Sequence, residues 1–221
     1  MFQKDYIMRL IEQLSNILIK IIFNRETGNY AQALKELDLA YRNLLGADPI
    51  KLDNMTELEL IENFQNEDEC DSEKLIVIAE LMREHAIISE IENGMDLYTF
   101  RKFLKSLTAY LFALQCDVSF QRDEYHNKIG NLINKLKLYS LPNHLHYRIF
   151  IYYMDTGQFA KAEDSLFQLY ELDYHSVADV GHDFYNQLMK MSDEKLIKGN
   201  LPRKEVAEGQ KLFNEMINNR K

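Results

Sequence analysis

The sequence predicts an all-α protein made of antiparallel helical hairpins. Three observations lead to this prediction. Apolar residues recur at intervals of three and four in every long segment, which is the helical period. Only three prolines and eight glycines interrupt the 221 residues. No segment alternates between apolar and polar residues as a half-buried strand does.

The first hairpin is predicted from the N-terminal third of the chain. A helix over Tyr6–Phe23 carries apolar residues on one face and polar residues on the other. Gly28 can adopt the left-handed conformation that ends a helix. A second helix is predicted from about Asn29 to Leu45, and it ends near Gly46 and Pro49.

The middle of the chain is predicted to contain four helices. Thr56 and Glu59 form a capping-box pair at the start of the first of these helices. Asp96 is expected to cap the third, which reaches Gln115. An acidic loop is predicted over Gln65–Asp71. The predicted helices cover Thr56–Phe64, Ser72–Asn93, the residues from the Asp96 cap to Gln115, and Gln121–Leu138.

The last third of the chain is predicted to contain four more helices, which brings the total to about ten. They cover Asn143–Asp155, Phe159–Leu172, Val177–Met191 and Pro202–Asn218. We expect one elongated domain over residues 1–221, with a possible subdivision near residues 65–72 at the acidic loop.

Two of the predicted hairpins share a pattern. Gly28, Gly94 and Gly157 each lie between two long helices, at separations of 66 and 63 residues. These separations are close to twice the tetratricopeptide length of about 34 residues. The segments that follow the first and third glycines both carry an aromatic, an alanine and a leucine at matched positions: Tyr30, Ala33 and Leu37 in TGNYAQALKELDLAYRNL, and Phe159, Ala162 and Leu166 in TGQFAKAEDSLFQLYELD.

The pattern has a packing explanation. Glycine allows the chain to reverse, the aromatic side chain covers the turn, and the alanine allows two helices to approach closely. The arrangement resembles the tetratricopeptide repeat in degenerate form, so we expect the hairpins to stack as a repeat array. A helical bundle without repeats is the alternative, since any helical hairpin can use glycine and alanine in this way.

The chain also resembles a family of uncharacterised helical proteins from Gram-positive bacteria. The similarity covers most of the chain and is most specific at MFQKDYIMRLIEQL and TGQFAKAEDSLFQL. It implies a tetratricopeptide-like fold. It implies no activity, because the family is a domain of unknown function, and it assigns no functional residue.

Charge and hydropathy exclude several partners. The net charge is −9, and nine acidic residues with no basic one lie between Asp53 and Glu73. Nucleic-acid binding requires clustered Lys and Arg, so this class of partner is not expected. The most apolar run, ILIKIIF, is interrupted by Lys20 and is too short to span a bilayer. In MFQKDYIMRLIEQL, the apolar residues are interrupted by Lys4, Asp5, Arg9 and Glu12, so no uninterrupted signal-peptide core is present. We therefore expect a cytoplasmic protein without a membrane partner.

Cys70 and Cys116 do not form a CxxC pair, which excludes a zinc knuckle or a thioredoxin-type motif. One disulfide between them is possible. Reduced thiols are the expectation for a cytoplasmic protein, and Cys116 is expected to be buried because it follows the apolar run YLFAL.

A metal site is the one chemical hypothesis that the histidines raise. His175, Asp179 and His182 are spaced to share one helical face and are the candidate zinc ligands. The alternative is a polar face packed around Tyr174 and Tyr185, and we predict no metal and no cofactor. No nucleophile elbow, P-loop or dinucleotide-binding motif occurs in the sequence, and the acidic run lacks the residue order of a calcium loop.

These observations predict a non-catalytic protein-interaction module or small scaffold that binds a peptide or a helix. The alternatives are an enzyme or small-ligand protein with a polar pocket between helices, and a structural homo-oligomer. Converging His, Asp and Tyr side chains would favour a ligand pocket. The candidate partner-binding residues are Tyr147, Tyr152 and Tyr153.

No carboxylate clamp is expected on the first helices of the hairpins. Leu18, Ile22, Tyr147 and Ile151 occupy the groove positions, and none of them is a cation or an amide that could hold a C-terminal carboxylate. A partner should therefore present an apolar or aromatic face, unless these side chains belong to the core.

Overall fold

A computed structural model of the chain describes residues 2–64, 70–117 and 123–220, with side chains from residue 9 onward. In these ranges the chain forms twelve α-helices and no β-strand. The predicted all-α class is confirmed. No helix within these ranges is both long enough and apolar enough to cross a membrane.

The helices of the first part of the chain are α1 (Phe2–Glu26), α2 (Tyr30–Leu45), α3 (Pro49–Asn54), α4 (Glu57–Glu62), α5 (Ser72–Asn93), α6 (Leu97–Cys116) and α7 (Asp123–Leu136). Those of the second part are α8 (Asn143–Asp155), α9 (Phe159–Glu171), α10 (Val177–Met189), α11 (Asp193–Lys198) and α12 (Arg203–Asn219).

Helix ends follow the predicted capping residues. The Thr56 hydroxyl accepts a hydrogen bond from the Glu59 backbone N–H at 3.2 Å, and the Glu59 carboxylate accepts one from the Thr56 N–H at 2.7 Å. Asp96 caps α6 by accepting from the Thr99 N–H at 2.7 Å. The six-residue helices α3 and α11 were not predicted. The predicted acidic loop lies largely outside the described residues, as does the start of the helix expected from Gln121.

Internal contacts divide the chain into two compact units, residues 1–139 and residues 140–221. Residues 70–72 lie inside the first unit, so the boundary differs from the subdivision considered near residues 65–72. The expectation that the whole chain is one domain stays a prediction.

Two helices occupy the centre of the first unit, where α5 packs along α6. Every residue from Leu75 to Met82 in α5 is buried, and so is every residue from Lys102 to Leu114 in α6. Helices α1 and α2 pack on α5, while α4 and α7 pack on α6. Because the part of α6 from Lys102 to Leu114 is enclosed, its two lysines as well as its apolar residues are buried.

The hairpin turns at Gly28 and Gly157 have the same geometry. Both glycines have positive φ, 76° and 69°. The residue after each glycine has nearly the same backbone angles, φ −88° and ψ 63° at Asn29 against φ −91° and ψ 63° at Gln158. It also donates its N–H to the carbonyl five residues earlier, at 2.7 Å in the first turn and 2.8 Å in the second. This is the hydrogen bond of a Schellman motif.

The residues after these turns are also buried alike. Ala33, Leu37, Ala162 and Leu166 are fully buried, as the packing explanation predicts. The turn at Gly94 differs, since its φ of 73° and ψ of −166° lie in a region that only glycine populates readily. The turn at Gly94 therefore shares only its glycine with the turns at Gly28 and Gly157.

The second unit has a continuous apolar core formed by residues of α8 to α12. Two glycines permit close packing there. A Cβ on Gly181 of α10 would lie 2.1 Å from the Phe213 ring of α12, and one on Gly199 would lie 2.7 Å from the Gly157 carbonyl oxygen. The Gly199 carbonyl accepts from the Ala160 N–H at 3.1 Å, which ties the start of α9 to the end of α11.

The two cysteines form a disulfide, so the expectation of reduced thiols is wrong. Cys70 and Cys116 are joined across a sequence separation of 46 residues. Cys116 is exposed and Cys70 is half-buried. Cys116 lies at the last position of α6, beyond the buried part of the helix, which explains why the apolar run before it did not predict its exposure.

Candidate functional site

The predicted partner-binding tyrosines all lie on α8, but they differ in accessibility. Tyr152 is buried, with 5% of its surface exposed, so it is not available as a contact residue. Tyr147 and Tyr153 are half-buried and pack against the core of the second unit. The structure therefore leaves two of the three candidates at the surface.

Tyr147 contacts two other aromatic rings. Its ring stacks on Tyr174 with the centroids 5.4 Å apart and the planes 11° apart. The Tyr147 ring also stacks on Phe150, with the centroids 6.2 Å apart and the planes at an angle of 25°. Tyr153 contacts the Tyr152 ring, with centroids 5.5 Å apart, and the Lys161 ammonium lies 5.4 Å from the Tyr153 ring centroid. Both tyrosines are therefore positioned by two neighbouring side chains.

The candidate zinc ligands do not share a helical face. Helix α10 begins at Val177, so His175 lies before it and the spacing argument does not apply. The His175 ring packs on Tyr174 with centroids 4.7 Å apart, whereas His182 lies near Phe213 at 6.4 Å. Within the described ranges, no three His, Cys, Asp or Glu side chains converge in a way that could hold a metal ion.

A polar cleft between α3 and α6 was not predicted. One face of α6 supplies a tyrosine and three cations at helical spacing, and the end of α3 supplies an acid. The cleft has a volume of about 450 Å³. Among the residues that line it are Asp53, Asp96, Tyr98, Arg101, Lys102 and Lys105.

Asp53 is bound by two residues of α6. The Lys102 ammonium donates to one carboxylate oxygen at 2.5 Å, and the Tyr98 hydroxyl donates to the other at 2.9 Å. The same ammonium lies 4.4 Å from the Tyr98 ring centroid. Burial lowers the pKa of Lys102, and the Asp53 carboxylate opposes this effect.

Lys105 lies at the base of the cleft, with 3% of its surface exposed. Its ammonium donates to the carbonyls of Leu52 and Asp53, at 2.8 and 2.7 Å. These bonds satisfy the last carbonyls of α3, which have no partner inside that helix. Burial lowers the pKa of Lys105 to about 8, although nearby Asp53 raises it.

His85 and Tyr41 form a layer next to this cleft. The His85 ring lies 6.1 Å from the Tyr98 ring and 6.4 Å from the Tyr41 ring. In the described part of the chain, His85 Nδ1 and the Tyr41 hydroxyl are buried without a hydrogen-bond partner. Burial, reinforced by the Lys102 ammonium, lowers the pKa of His85 to about 4. His85 is therefore neutral near pH 7.

A second buried polar cluster lies on α5 and is balanced by ion pairs. Glu84 is 1% exposed and contacts the guanidinium groups of Arg25 and Arg83. Glu80 is 2% exposed and contacts Lys128 and Arg83. Burial raises the pKa of Glu84, while the arginines lower it. Since each acid has cationic partners from other positions, this cluster joins α1, α5 and α7 and is a structural feature.

The α6 cations were visible in the sequence. Tyr98, Arg101, Lys102 and Lys105 follow the i, i+3, i+4, i+7 spacing of one helical face. Their relation to Asp53 was not visible, because it depends on how α3 packs against α6. Chemically, the cleft offers ammonium and guanidinium donors, a phenol and a neutral imidazole nearby, so it can bind an anion.

Comparison with known proteins identifies a family. The model of DUF6483, a family of unknown function, matches residues 1–218. No curated protein and no solved structure matches the chain. Since the match covers nearly the whole sequence, the chain belongs to the family of unknown function DUF6483.

Proposed function

We propose that this protein is a non-catalytic interaction module that binds a peptide or helix of a partner protein on the outer face of α8. The observation that carries this proposal is the placement of Tyr147, which is half-buried and stacks against Tyr174 and Phe150. The partner segment should present an apolar or aromatic face.

Such a tyrosine suits an interface contact. Tyrosine is enriched among the few residues that contribute most of the binding energy at protein interfaces. A ring already fixed by its neighbours loses little conformational entropy when a partner binds, which favours affinity. Tyr174 extends the same surface, and the core of the second unit supports both rings.

The proposal includes a degenerate tetratricopeptide-like stack as the scaffold. It is supported by the two hairpin turns with equal hydrogen bonding and by the buried alanines that follow them. Repeat scaffolds of this type bind peptides and helices on their surfaces. A cytoplasmic location and an origin in Gram-positive bacteria remain part of the proposal.

The test compares two tyrosine variants of the full chain. Each is used as bait in the native host's lysate, and captured proteins are identified by mass spectrometry. Tyr147→Ala should abolish the capture of a partner that the unaltered protein retains. Tyr139→Ala serves as the control, because Tyr139 is a partly exposed tyrosine of the first unit that contacts one aromatic ring, Phe100.

The melting temperature separates an interface role from a core role. Lost capture with an unchanged melting temperature supports the proposal. A large drop in melting temperature for Tyr147→Ala means that the residue belongs to the core. Equal capture by both variants contradicts the proposal, as does binding that depends on a peptide's free C-terminal carboxylate.

Two alternatives remain distinct from this proposal. A specific observation favours a small-ligand protein, since Asp53 and Tyr98 line the α3–α6 cleft together with two lysines, and the His85 ring packs next to Tyr98. A structural homo-oligomer would use an exposed apolar surface, and α1 exposes Ile19 and Phe23, which are 66% and 64% accessible. Light scattering across a range of protein concentrations tests the homo-oligomer.

A further inference from the structure

We propose that the cleft between α3 and α6 binds a small doubly charged oxyanion, of the sulfate or phosphate class, between Lys105 at its base and Arg101 at its rim. This site is separate from the partner surface on α8 and does not depend on it. The inference rests on the distribution of charge within the cleft.

The acids of the cleft are already engaged. Asp53 accepts hydrogen bonds from Lys102 and Tyr98, so its charge is balanced by the Lys102 ammonium. Asp96 lies at the rim, where its carboxylate accepts from the Thr99 N–H. Neither carboxylate forms an ion pair with Lys105 or Arg101 within the described ranges.

Lys105 and Arg101 are those remaining cations. The Lys105 ammonium donates to two neutral carbonyls, and within the described ranges it bonds to no carboxylate. Arg101, four residues earlier on the same face of α6, is exposed and likewise has no ion pair in those ranges. The lining thus carries three cations and two acids, a local excess of one positive charge in a protein whose net charge is −9.

Burial removes the hydration of the Lys105 ammonium, and the two neutral carbonyls that it contacts replace that hydration only in part. An anion in the cleft would offset this cost and would form charge-assisted hydrogen bonds, which are the stronger kind. An ammonium has three N–H donors, and Lys105 uses two of them on α3. The third remains for a ligand, and the Arg101 guanidinium can contact the same ligand from the rim.

Calorimetric titration of the full chain with sodium sulfate at pH 7 tests the site, with sodium chloride at matched ionic strength as the reference. Sulfate should bind saturably with one site per chain. Inorganic phosphate and phenyl phosphate are titrated in parallel. Tighter binding of the inorganic ions assigns the cleft to a free anion, whereas tighter binding of phenyl phosphate assigns it to the phosphate group of a larger molecule.

Arg101→Gln is the informative variant, because Arg101 is exposed and its loss should not unfold the protein. We expect sulfate binding to weaken about three- to tenfold, as for the loss of one charge-assisted contact. Arg9→Gln removes another exposed arginine of the first unit and should leave binding unchanged. Lys105→Met should remove binding altogether, provided that its circular dichroism spectrum remains native.

The pH dependence of sulfate binding tests whether the Lys105 ammonium holds the anion. Sulfate keeps its charge between pH 6 and pH 10, so weaker binding as the pH rises through about 8 reports deprotonation of Lys105. The charged and titratable groups around it are Asp53, Glu57, Glu59, Arg101 and Lys102.

Two outcomes overturn the proposal. One is the absence of saturable binding up to about 10 mM sulfate, where a site with a Kd of ~1 mM would be almost filled. The other is an equal affinity in Arg101→Gln, Arg9→Gln and the unaltered protein, which would mean that an adventitious ion only is bound.

Discussion

The ring of Phe213 in α12 lies directly against Gly181 in α10. A Cβ atom added to this glycine would come within 2.1 Å of Cε1 and 2.2 Å of Cζ of the phenyl ring. Phe213 is fully buried and also contacts Tyr185, with ring centroids 5.9 Å apart. The ring therefore has little room to move, and the approach of α10 to α12 requires glycine at this position.

Gly181→Ala should destabilise the second unit by about 1–3 kcal/mol or more through overpacking. Gly130→Ala is the matched control, since Gly130 also lies within a helix but has no atom within 4 Å of the added Cβ. Alanine there should stabilise α7 by about 0.5–1 kcal/mol, because it restricts the unfolded chain. Urea unfolding of both variants checks the pair, and equal midpoints would contradict the assigned packing.

Ala33→Trp and Ala162→Trp should each lower the free energy of unfolding by ~1–3 kcal/mol or more. Both alanines are fully buried at the same position of the two hairpins, so an indole must displace a neighbouring helix. Ala31→Trp provides the control, because Ala31 is exposed on the same helix as Ala33. If denaturation midpoints of the buried variants moved no further than that of the control, the hairpin packing would be wrong.

Loss of the disulfide should destabilise the first unit. A cross-link between residues 46 apart lowers the entropy of the unfolded chain. In the loop-entropy model this raises the free energy of the unfolded state by up to about 4 kcal/mol. Cys70→Ser, or a reducing agent added to the unaltered protein, should lower the melting temperature, and reduction should have no further effect on the variant. Thiol titration of the non-reduced, unfolded chain should find no thiol, and two thiols per chain would refute the pairing.

Stability should fall as the pH is lowered from about 6.5 to about 4, in part because of His85. Its pKa is about 4 in the folded protein, against an ordinary value of 6.5. Between these two pH values the unfolded chain therefore binds a proton at His85 and the folded protein does not. The stability associated with neutral His85 is complete above pH 6.5 and is lost as the pH falls toward 4. The loss amounts to as much as about 3 kcal/mol.

His85→Gln should flatten this part of the pH profile. His182→Gln, at an exposed histidine, is the control and should leave the profile unchanged. Chemical denaturation at several pH values measures the effect. An unaltered slope in His85→Gln would assign the acid sensitivity to other groups.

Sequence patterns predicted the long helices well because their caps are local. Ser72–Asn93 and Asn143–Asp155 are helical over the predicted residues, and Asp96 and Thr56 cap their helices as expected. The six-residue helices α3 and α11 span too few turns to show a period. For α3, the Asp48 cap and the proline at the first helical position were the available indications.

The candidate site was less predictable for a physical reason. The spacing of Tyr98, Lys102 and Lys105 predicts a shared face, but exposed lysines would share a face in the same way. Burial of that face depends on α3, whose Asp53 lies in a different part of the sequence. Tyr152 shows the opposite error, since an aromatic residue on a first helix was expected at the surface and is buried instead.

The equal turns at Gly28 and Gly157 bear on how the chain folds. Each turn brings together helices that are adjacent in sequence, so few residues lose freedom when the first contacts form across it. Chains rich in such local contacts fold rapidly. The α1–α2 and α8–α9 hairpins are thus places where ordering costs little entropy. Each can form within its own unit before α5 packs on the first hairpin and α12 completes the core of the second unit.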